Sequence, residues 1–520
     1  MALRLLYDLE TDGLEAEVTQ VHCLVTANLD TGAYRAYVPP YYNLDLIRKN
    51  FPDLEHVGVI EDGLDYLATS DYLAGHNILS YDNPVLDNLY PGRFNWRKYK
   101  LLDTLVLSKL VFSDIKDGDQ ARIKAGTFPP GLMFRPHSLE AWGYRLGCNK
   151  GDYSADMKAN GLDPWANFNE PMLAYCIQDV ELNVQLWKVL RNKKPDPRAV
   201  ELELEISRII LQQERNGFPF DERKAGELYA TLSARRQDLL DQCTALFPAW
   251  WAPTTVATTS KGRKVKRPEF GTKVVKRFSL TTGKPLQDRV EAITEDYVEG
   301  TQHTKMRLVT FNPSSRDHVS DRFMKLYGWQ PTEFGNDGKP TVDDDILTAL
   351  PYPPAKLLAE YYMIEKRVGM LAEGKQAWLK AVRDHRIHGR VNTNGAVTGR
   401  ATHSSPNVAQ VPSIHNADGP VPFGRECREL FTTVSSVPAL AAQYGTDWVL
   451  VGADASGLEL RCLAHFMSPF DNGAYADTVV NGDVHTINMH AAGLATRAQA
   501  KTFILEIGMT SRATVMTKTL

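Results

Sequence analysis

Apolar and β-branched residues recur over Leu3 to Leu9, Val21 to Val25 and Tyr34 to Val38, with Gly- or Asp-rich breaks between, a pattern that predicts a meander of strands. Helical spacing follows. In the stretch ending at Trp187, Leu173, Ile177, Val180 and Val184 recur at three and four residues, so one apolar stripe faces a sheet. Strands followed by helices predict a mixed α/β domain. The charged segment RNKKPDPRAV interrupts the pattern, and Pro195 and Pro197 suit an exposed connection and a first domain boundary. Beyond it, Ile206, Ile209 and Ile210 run toward Gly217, a suitable helix end, and Leu228, Leu232, Leu239, Cys243 and Leu246 keep helical spacing. A pair of long antiparallel helices is expected. From about Ala252 to Arg307 periodicity disappears and TSKGRKVKRPEFGTKVVKRF is dense in Lys and Arg, as in an exposed insertion. Regular patterns resume at Phe311, with a helix expected over Pro354 to Val382 before the Gly- and Asn-rich HGRVNTNGAVTGRATH. There is no internal repeat.

Composition narrows the class. A length of 520 residues suggests roughly three domains. With 43% hydrophobic and 23% charged residues, and no apolar run near the roughly 20 residues of a bilayer span, a soluble protein is expected. The opening MALRLLYDLET meets Asp8 and Glu10 too early for a signal peptide, so export is not expected. Six cysteines stand singly, without CxxC spacing, which fits a reducing cytoplasm. The net charge of -4 does not favour nucleic acid on average, so the local distribution of charge carries that question.

Asp8 and Glu10 sit two apart in a predicted strand, and a period of two turns both side chains to one face. AGHNILSYDNP supplies Asp82, and MLAYCIQDVELN supplies Tyr175 and Asp179 four apart on one helical face. Singly, these have commoner readings: acids on a solvated strand, a turn cap, a half-buried aromatic. Their order, DxE, then NxxxYD, then YxxxD, resembles the three motifs of the DEDD exonucleases in the variant that uses Tyr in the last motif. The resemblance implies that Asp8, Glu10, Asp82 and Asp179 hold metal, that Tyr175 orients the attacking water, and that His76 and Asn77 support them. Two hard cations roughly 3.5 to 4 Å apart need several carboxylate oxygens; magnesium or manganese suits such a set.

WVLVGADASGLELRCLAHF reads as a strand, a turn at Gly457 and a helix, with Asp454 at the strand end. It resembles motif A of family A DNA polymerases, especially the replicative enzymes of T-seven-like short-tailed phages. Upstream, NTNGAVTGRATHSSPNVAQVP resembles the family's primer-template motif, which implies minor-groove contacts from Arg400 and Gln410 to acceptors common to all base pairs. Downstream, His485 in NGDVHT and Arg497 and Lys501 in TRAQAKTFI match the order of the fingers helix and imply binding of a deoxynucleoside triphosphate. Glu459 resembles the residue that excludes a ribose 2′-hydroxyl. After Ile504 the likeness stops: the family's Tyr-Gly and its His-Asp-Glu motif are not found among residues 505–520, so the second palm carboxylate is missing. This chain alone is therefore expected not to extend primers, with an intron, a frameshift or a separately encoded C-terminal polymerase half as the open explanations.

The implied layout is an α/β and α+β multidomain chain, a ribonuclease H-like exonuclease domain followed by a partial right-hand polymerase domain. Residues 1–190 form the exonuclease, 191–382 the linker and thumb, 383–483 the partial palm, 484–504 the start of the fingers and 505–520 a divergent tail. The insertion at 252–307 occupies the place where the T-seven-like enzymes recruit host thioredoxin. Its Lys261, Arg263, Lys264, Lys266, Arg267, Lys273, Lys276 and Arg277 suit DNA phosphates or acidic faces of a phage helicase or single-stranded DNA-binding protein. Expected ligands are DNA primer-template, single-stranded 3′ ends and dNTPs, in the cytoplasm of an infected bacterium and without a membrane. Two other readings use the same residues: a stand-alone 3′-to-5′ exonuclease, and a non-catalytic DNA-binding remnant or subunit of a split polymerase.

Overall fold

The computed structural model describes residues 3–14, 17–148, 153–258, 263–266, 272–278, 285–292, 294–297, 299–300, 302–335, 337–416, 419–497, 499–500 and 503. The chain divides into two compact units, Met1–Asp447 and Trp448–Leu520.

The first unit opens on the expected meander, β1 (Arg4–Thr11), β2 (Val21–Asn28) and β3 (Tyr34–Val38), followed by β4 (His56–Val59), β5 (Tyr72–Gly75) and β6 (Lys100–Asp103). These make one six-stranded sheet in the order β4-β3-β2-β1-β5-β6. Strands β1, β2 and β3 pair antiparallel, whereas β4 joins β3, and β5 joins β1, in parallel. Helices cover both faces. The helices are α1 (Leu44–Asn50), α2 (Ile60–Leu67), α3 (Asp82–Leu89), α4 (Thr104–Val111), α5 (Ile115–Lys124), α6 (Leu139–Leu146), α7 (Tyr153–Ala159) and α8 (Glu170–Asn192). Leu5, Tyr7 and Leu9 pack with Leu64 of α2 and Leu86 of α3, while Leu6 packs with Ile47 of α1 and Met172, Leu173 and Val180 of α8. The alternation along β1 thus sorts its side chains between two cores.

Pro195 lies in the connection between α8 and α9 (Pro197–Asn216), Pro197 opens α9, and α10 (Glu222–Thr244) follows. Gly217 ends α9 at φ +61°, a conformation open to glycine. Leu228, Leu232, Leu239 and Cys243 of α10 are buried against Leu358, Tyr361 and Ile364 of the helix Pro353–Val368. That helix is shorter than the pattern suggested. It runs into a π turn over Gly369–Glu373, stops at Gly374, and resumes as Trp378–Ala381, because Gly369 and Gly374 bring no side chain to hold a regular helix.

The insertion is also more regular than its sequence suggested. Trp250–Thr258 pairs with Gln302–Val309, Arg263–Lys266 with Thr294–Tyr297, and Thr272–Phe278 with Pro285–Ala292, all antiparallel and nested along the chain as in one extended hairpin. Val274 and Val290, opposite each other, are both exposed. The face that carries this pair stays in water and needs no apolar alternation, so the period-two signal is absent there.

In the second unit the strand expected over Trp448–Ala453 is not formed. Val449, Leu450 and Val451 are exposed, without a neighbouring strand to pair with, and an unpaired strand has no partner for its backbone groups. The expected turn is present, Gly457 at φ +59°, and leads into the helix Leu458–Asp471. Among the described residues, no helix is long and apolar enough to cross a membrane.

Candidate active sites

Asp8 and Glu10 project from β1 on the face of Leu6, the side covered by α8. Asn169 caps α8, its carboxamide oxygen accepting the Met172 amide at 2.9 Å, and Pro171 stands in the first turn, where its missing N–H costs nothing. The stripe Met172, Leu173, Cys176 and Val180 then lies on the sheet, and Asp179 and Asn183 of the same helix are buried with it. Cys176 Sγ lies 3.6 Å from the Asp8 carbonyl oxygen and 3.8 Å from Asp8 Oδ2. Ligand atoms of Asp8, Glu10 and Cys176 all fall within 4.8 Å of one another.

Asp82 is the first residue of α3, 3% exposed, and its carboxylate interacts with the backbone of Leu9, the residue between Asp8 and Glu10. Burial pushes the Asp82 carboxyl up to about 7, and the nearby charge of Asp103 adds to the shift. Tyr175, half-buried, stands with its ring 5.7 Å from that of Tyr153, whose hydroxyl receives Asn169 Nδ2 at 2.8 Å and donates to the Pro164 carbonyl at 2.7 Å.

Asp103 is a residue the sequence reading passed over. Fully buried at the end of β6, it accepts four backbone amides: Asn77 at 3.0 Å, Leu79 at 3.2 Å, Leu105 at 2.9 Å and Val106 at 3.4 Å. It therefore caps α4 and also pins the loop that holds Asn77 at φ +67° and leads to Asp82. His76 Nδ1 meets Thr104 Oγ1 at 2.9 Å, and that hydroxyl donates to Asn183 Oδ1 of α8 at 2.7 Å. The available signal was Asp-Thr-Leu at a strand end before an apolar helix, an N-cap signature. Cys176 was legible only as one of six single cysteines, and Tyr153 carried no signal.

The carboxylates fit hard divalent cations. Asp8 and Glu10 offer oxygens within 4.8 Å of each other, Asp82 and Asp179 are buried carboxylates outside that close group, and oxygen donors of this kind suit Mg2+ or Mn2+. An acid held up to about 7 by burial is one whose charged form a nearby cation would stabilise. Beside His76 and Asn77 a cleft of about 540 Å³ is lined by Lys109, Lys116, Phe134, Arg135 and His137, with Asn392 and Asn394 on its other wall. Phe134 is 90% exposed.

The residues expected to bind primer-template and nucleotide are placed differently. In the first unit, Arg400 closes a Gly-rich loop, its carbonyl accepting the Gly395 and Ala396 amides at 3.1 Å, and Gln410 ends the short 3₁₀ turn Val408–Gln410. Both side chains are exposed. In the second unit, Asp454 is exposed in the irregular segment before Gly457, and Glu459 lies in the first turn of the following helix. His485 lies in the first turn of the helix Val484–Ala491, which Asp483 caps. Asp483 also receives the Arg497 guanidinium at 2.9 and 3.1 Å, and that bond holds its carboxyl well below the usual carboxylate range. Arg497 thus has a carboxylate partner of its own. Lys501 lies outside the described residues.

The sequence profile of DNA polymerase family A matches residues 281–507. The DNA-directed DNA polymerase of Escherichia phage T7 is 39% identical over 548 residues, covering 96% of this chain and 74% of its own length. That of Enterobacteria phage T3 is equally similar, 39% over 551 residues with the same shares. The thermostable DNA polymerase I of Thermus filiformis is 28% identical over 186 residues, 35% of this chain and 20% of its own. Among solved structures, the POL domain of Pol1 from M. smegmatis, in complex with DNA primer-template and dNTP, resembles the fold with a TM-score of 0.50 at 13% identity, over 97% of this chain and 67% of that one. The chain belongs to DNA polymerase family A, and within it to the DNA-directed DNA polymerases of T7-like phages.

Proposed function

We propose that residues 1–190 are the 3′-to-5′ proofreading exonuclease of a phage replicative polymerase, and that the residues beyond them belong to its DNA-templated synthesis. One observation carries the nuclease reading: Asp8 and Glu10 of β1 gather with Cys176 of α8, the helix that also carries the buried Asp179, and the buried Asp82 carboxylate interacts with the Leu9 backbone between them. The sheet order, an antiparallel meander extended by parallel strands beyond β1, supports a ribonuclease H-like domain.

Asp8, Glu10, Asp82 and Asp179 would hold the divalent cations, Mg2+ or Mn2+. Bound there, the metals supply activation of water and stabilisation of the leaving 3′ oxygen. Tyr175 orients the attacking water through its hydroxyl. Asp103 and Asn77 keep the Asp82 loop in register, and the burial of Asp82 and Asp179 excludes competing water. The adjoining cleft, with three basic residues and an exposed Phe134, suits a single-stranded 3′ end, whose bases stack and whose phosphates meet cations.

In the synthesis function, Asp454 would be a palm metal ligand, Glu459 would exclude ribonucleotides, and His485, Arg497 and Lys501 would bind dNTP. Nucleotide binding by Arg497 then requires it to leave Asp483 for the triphosphate. Arg400 and Gln410 would contact the primer-template minor groove. The hairpin at 252–307 is the candidate site for host thioredoxin, helicase or single-stranded DNA-binding protein, in the cytoplasm of the infected bacterium.

Degradation of a 5′-labelled primer-template, with and without Mg2+ and dNTPs, tests the reading. A Mg2+-dependent ladder that vanishes in Asp82→Asn is expected. An undiminished ladder from folded Asp82→Asn protein would refute the assignment.

A further inference from the structure

The proposed nuclease carboxylates share their mouth with sulfur. Cys176 Sγ lies 3.8 Å from Asp8 Oδ2, and donor atoms of Asp8, Glu10 and Cys176 fall within 4.8 Å of one another. A second thiol adjoins them: Cys23 is directly opposite Glu10 in the β1–β2 register and packs in the same core as Cys176. Both cysteines are fully buried, whereas Asp8 is half-buried and gives access from solvent. Two carboxylates and two thiols therefore converge on one side of the sheet.

Around a tetrahedral Zn2+, bonds of about 2.0–2.3 Å put donor atoms roughly 3.3–3.6 Å apart. Here one pair stands 3.8 Å apart and all three donors fall within 4.8 Å, so an ion would have to draw the side chains together. Hard cations such as Mg2+ prefer oxygen and leave the thiol aside, while Zn2+ and Cd2+ favour thiolate sulfur.

We propose that Cys176, together with Asp8 and Glu10, forms a site for one thiophilic cation of the Zn2+ or Cd2+ class, which takes the nuclease carboxylates away from Mg2+ and stops degradation. On binding, the thiol proton passes to the buffer and nothing is oxidised or reduced. The inhibitory consequence rests on the nuclease reading of Asp8 and Glu10; the binding of the cation does not.

The test is a CdCl2 titration of the full chain in Mg2+-free buffer with a non-thiol reductant, read by ultraviolet thiolate-to-cadmium charge-transfer absorption. The native chain is expected to saturate with one tight equivalent. Cys176→Ala is expected to lose that band, and Asp8→Asn, which removes no sulfur, to weaken it at least about tenfold. A band unchanged in both variants would place the ion on other sulfur, such as the exposed Cys462, and would overturn the proposal. Zn2+ inhibition of the ladder, normalised to each variant's own Mg2+-supported rate, should need at least about tenfold more Zn2+ in Cys176→Ala. If the cadmium band behaves as stated in a chain that degrades no DNA, the metal site stands and the nuclease reading falls. If degradation is normal and the band ignores both substitutions, the reverse holds.

Discussion

Replacing Asp103 by Ala should destabilise the first unit more than any exposed substitution, and the structure gives the size. Four backbone amides lose a buried carboxylate acceptor. At about 1–1.5 kcal/mol for each bond, the gross loss is about 4–6 kcal/mol. Burial raises the Asp103 carboxyl above its usual range, so its charge is itself penalised, and removing it offsets part of that loss. The net cost should still exceed about 2 kcal/mol. Asp103→Asn separates the contributions. Asn77, Leu105 and Val106 all donate to Oδ1, which a carboxamide oxygen replaces, but Leu79 donates to Oδ2, where the carboxamide would present N–H against N–H. The cost should be about 1–2 kcal/mol. Urea unfolding of the three proteins measures both values, and amide hydrogen exchange should show Leu79 alone losing protection in Asn but all four amides in Ala. Equal destabilisation by the two substitutions, or an Ala variant within about 0.5 kcal/mol of native, would refute the reasoning.

Arg145 and Asp119 form a buried bidentate pair at 3.0 and 2.6 Å, with the guanidinium also against Phe128 and Trp142; Arg145→Met should cost about 3–5 kcal/mol, and adding Asp119→Leu should recover most of it in the same unfolding assay. Burial, with the charge of Lys109 adding, pushes the His137 imidazole down to about 4, so between there and its ordinary value the native chain binds fewer protons than the unfolded one. Its contribution, at most about 3 kcal/mol, is full above about 6.5 and lost as pH falls toward 4; urea midpoints at both ends of that range should differ less in His137→Asn. Deleting residues 252–307 should abolish recovery of the chain on immobilised reduced thioredoxin, and equal recovery would remove that partner from the hairpin.

Much of the first unit was written in local sequence. The alternation of Leu5, Tyr7 and Leu9 with Leu6, Asp8 and Glu10 assigns one face of β1 without any knowledge of what covers it, because the strand period is fixed by covalent geometry. The spacing of Tyr175 and Asp179, the caps at Asn169 and Asp103, and the glycine after α9 are local in the same sense. Tertiary structure decided what depends on partners distant in the chain. The insertion is a paired ribbon because Trp250–Thr258 meets Gln302–Val309, a pairing between segments far apart in the chain that no local pattern announces. Trp448–Ala453 has every strand-forming residue and no strand, since an edge forms only against a neighbour. Cys176 reads as one of six single cysteines, and only the packing of α8 on the sheet brings its sulfur to Asp8. Local sequence sets which groups a segment can offer, and the meeting of segments far apart determines which of those groups act together.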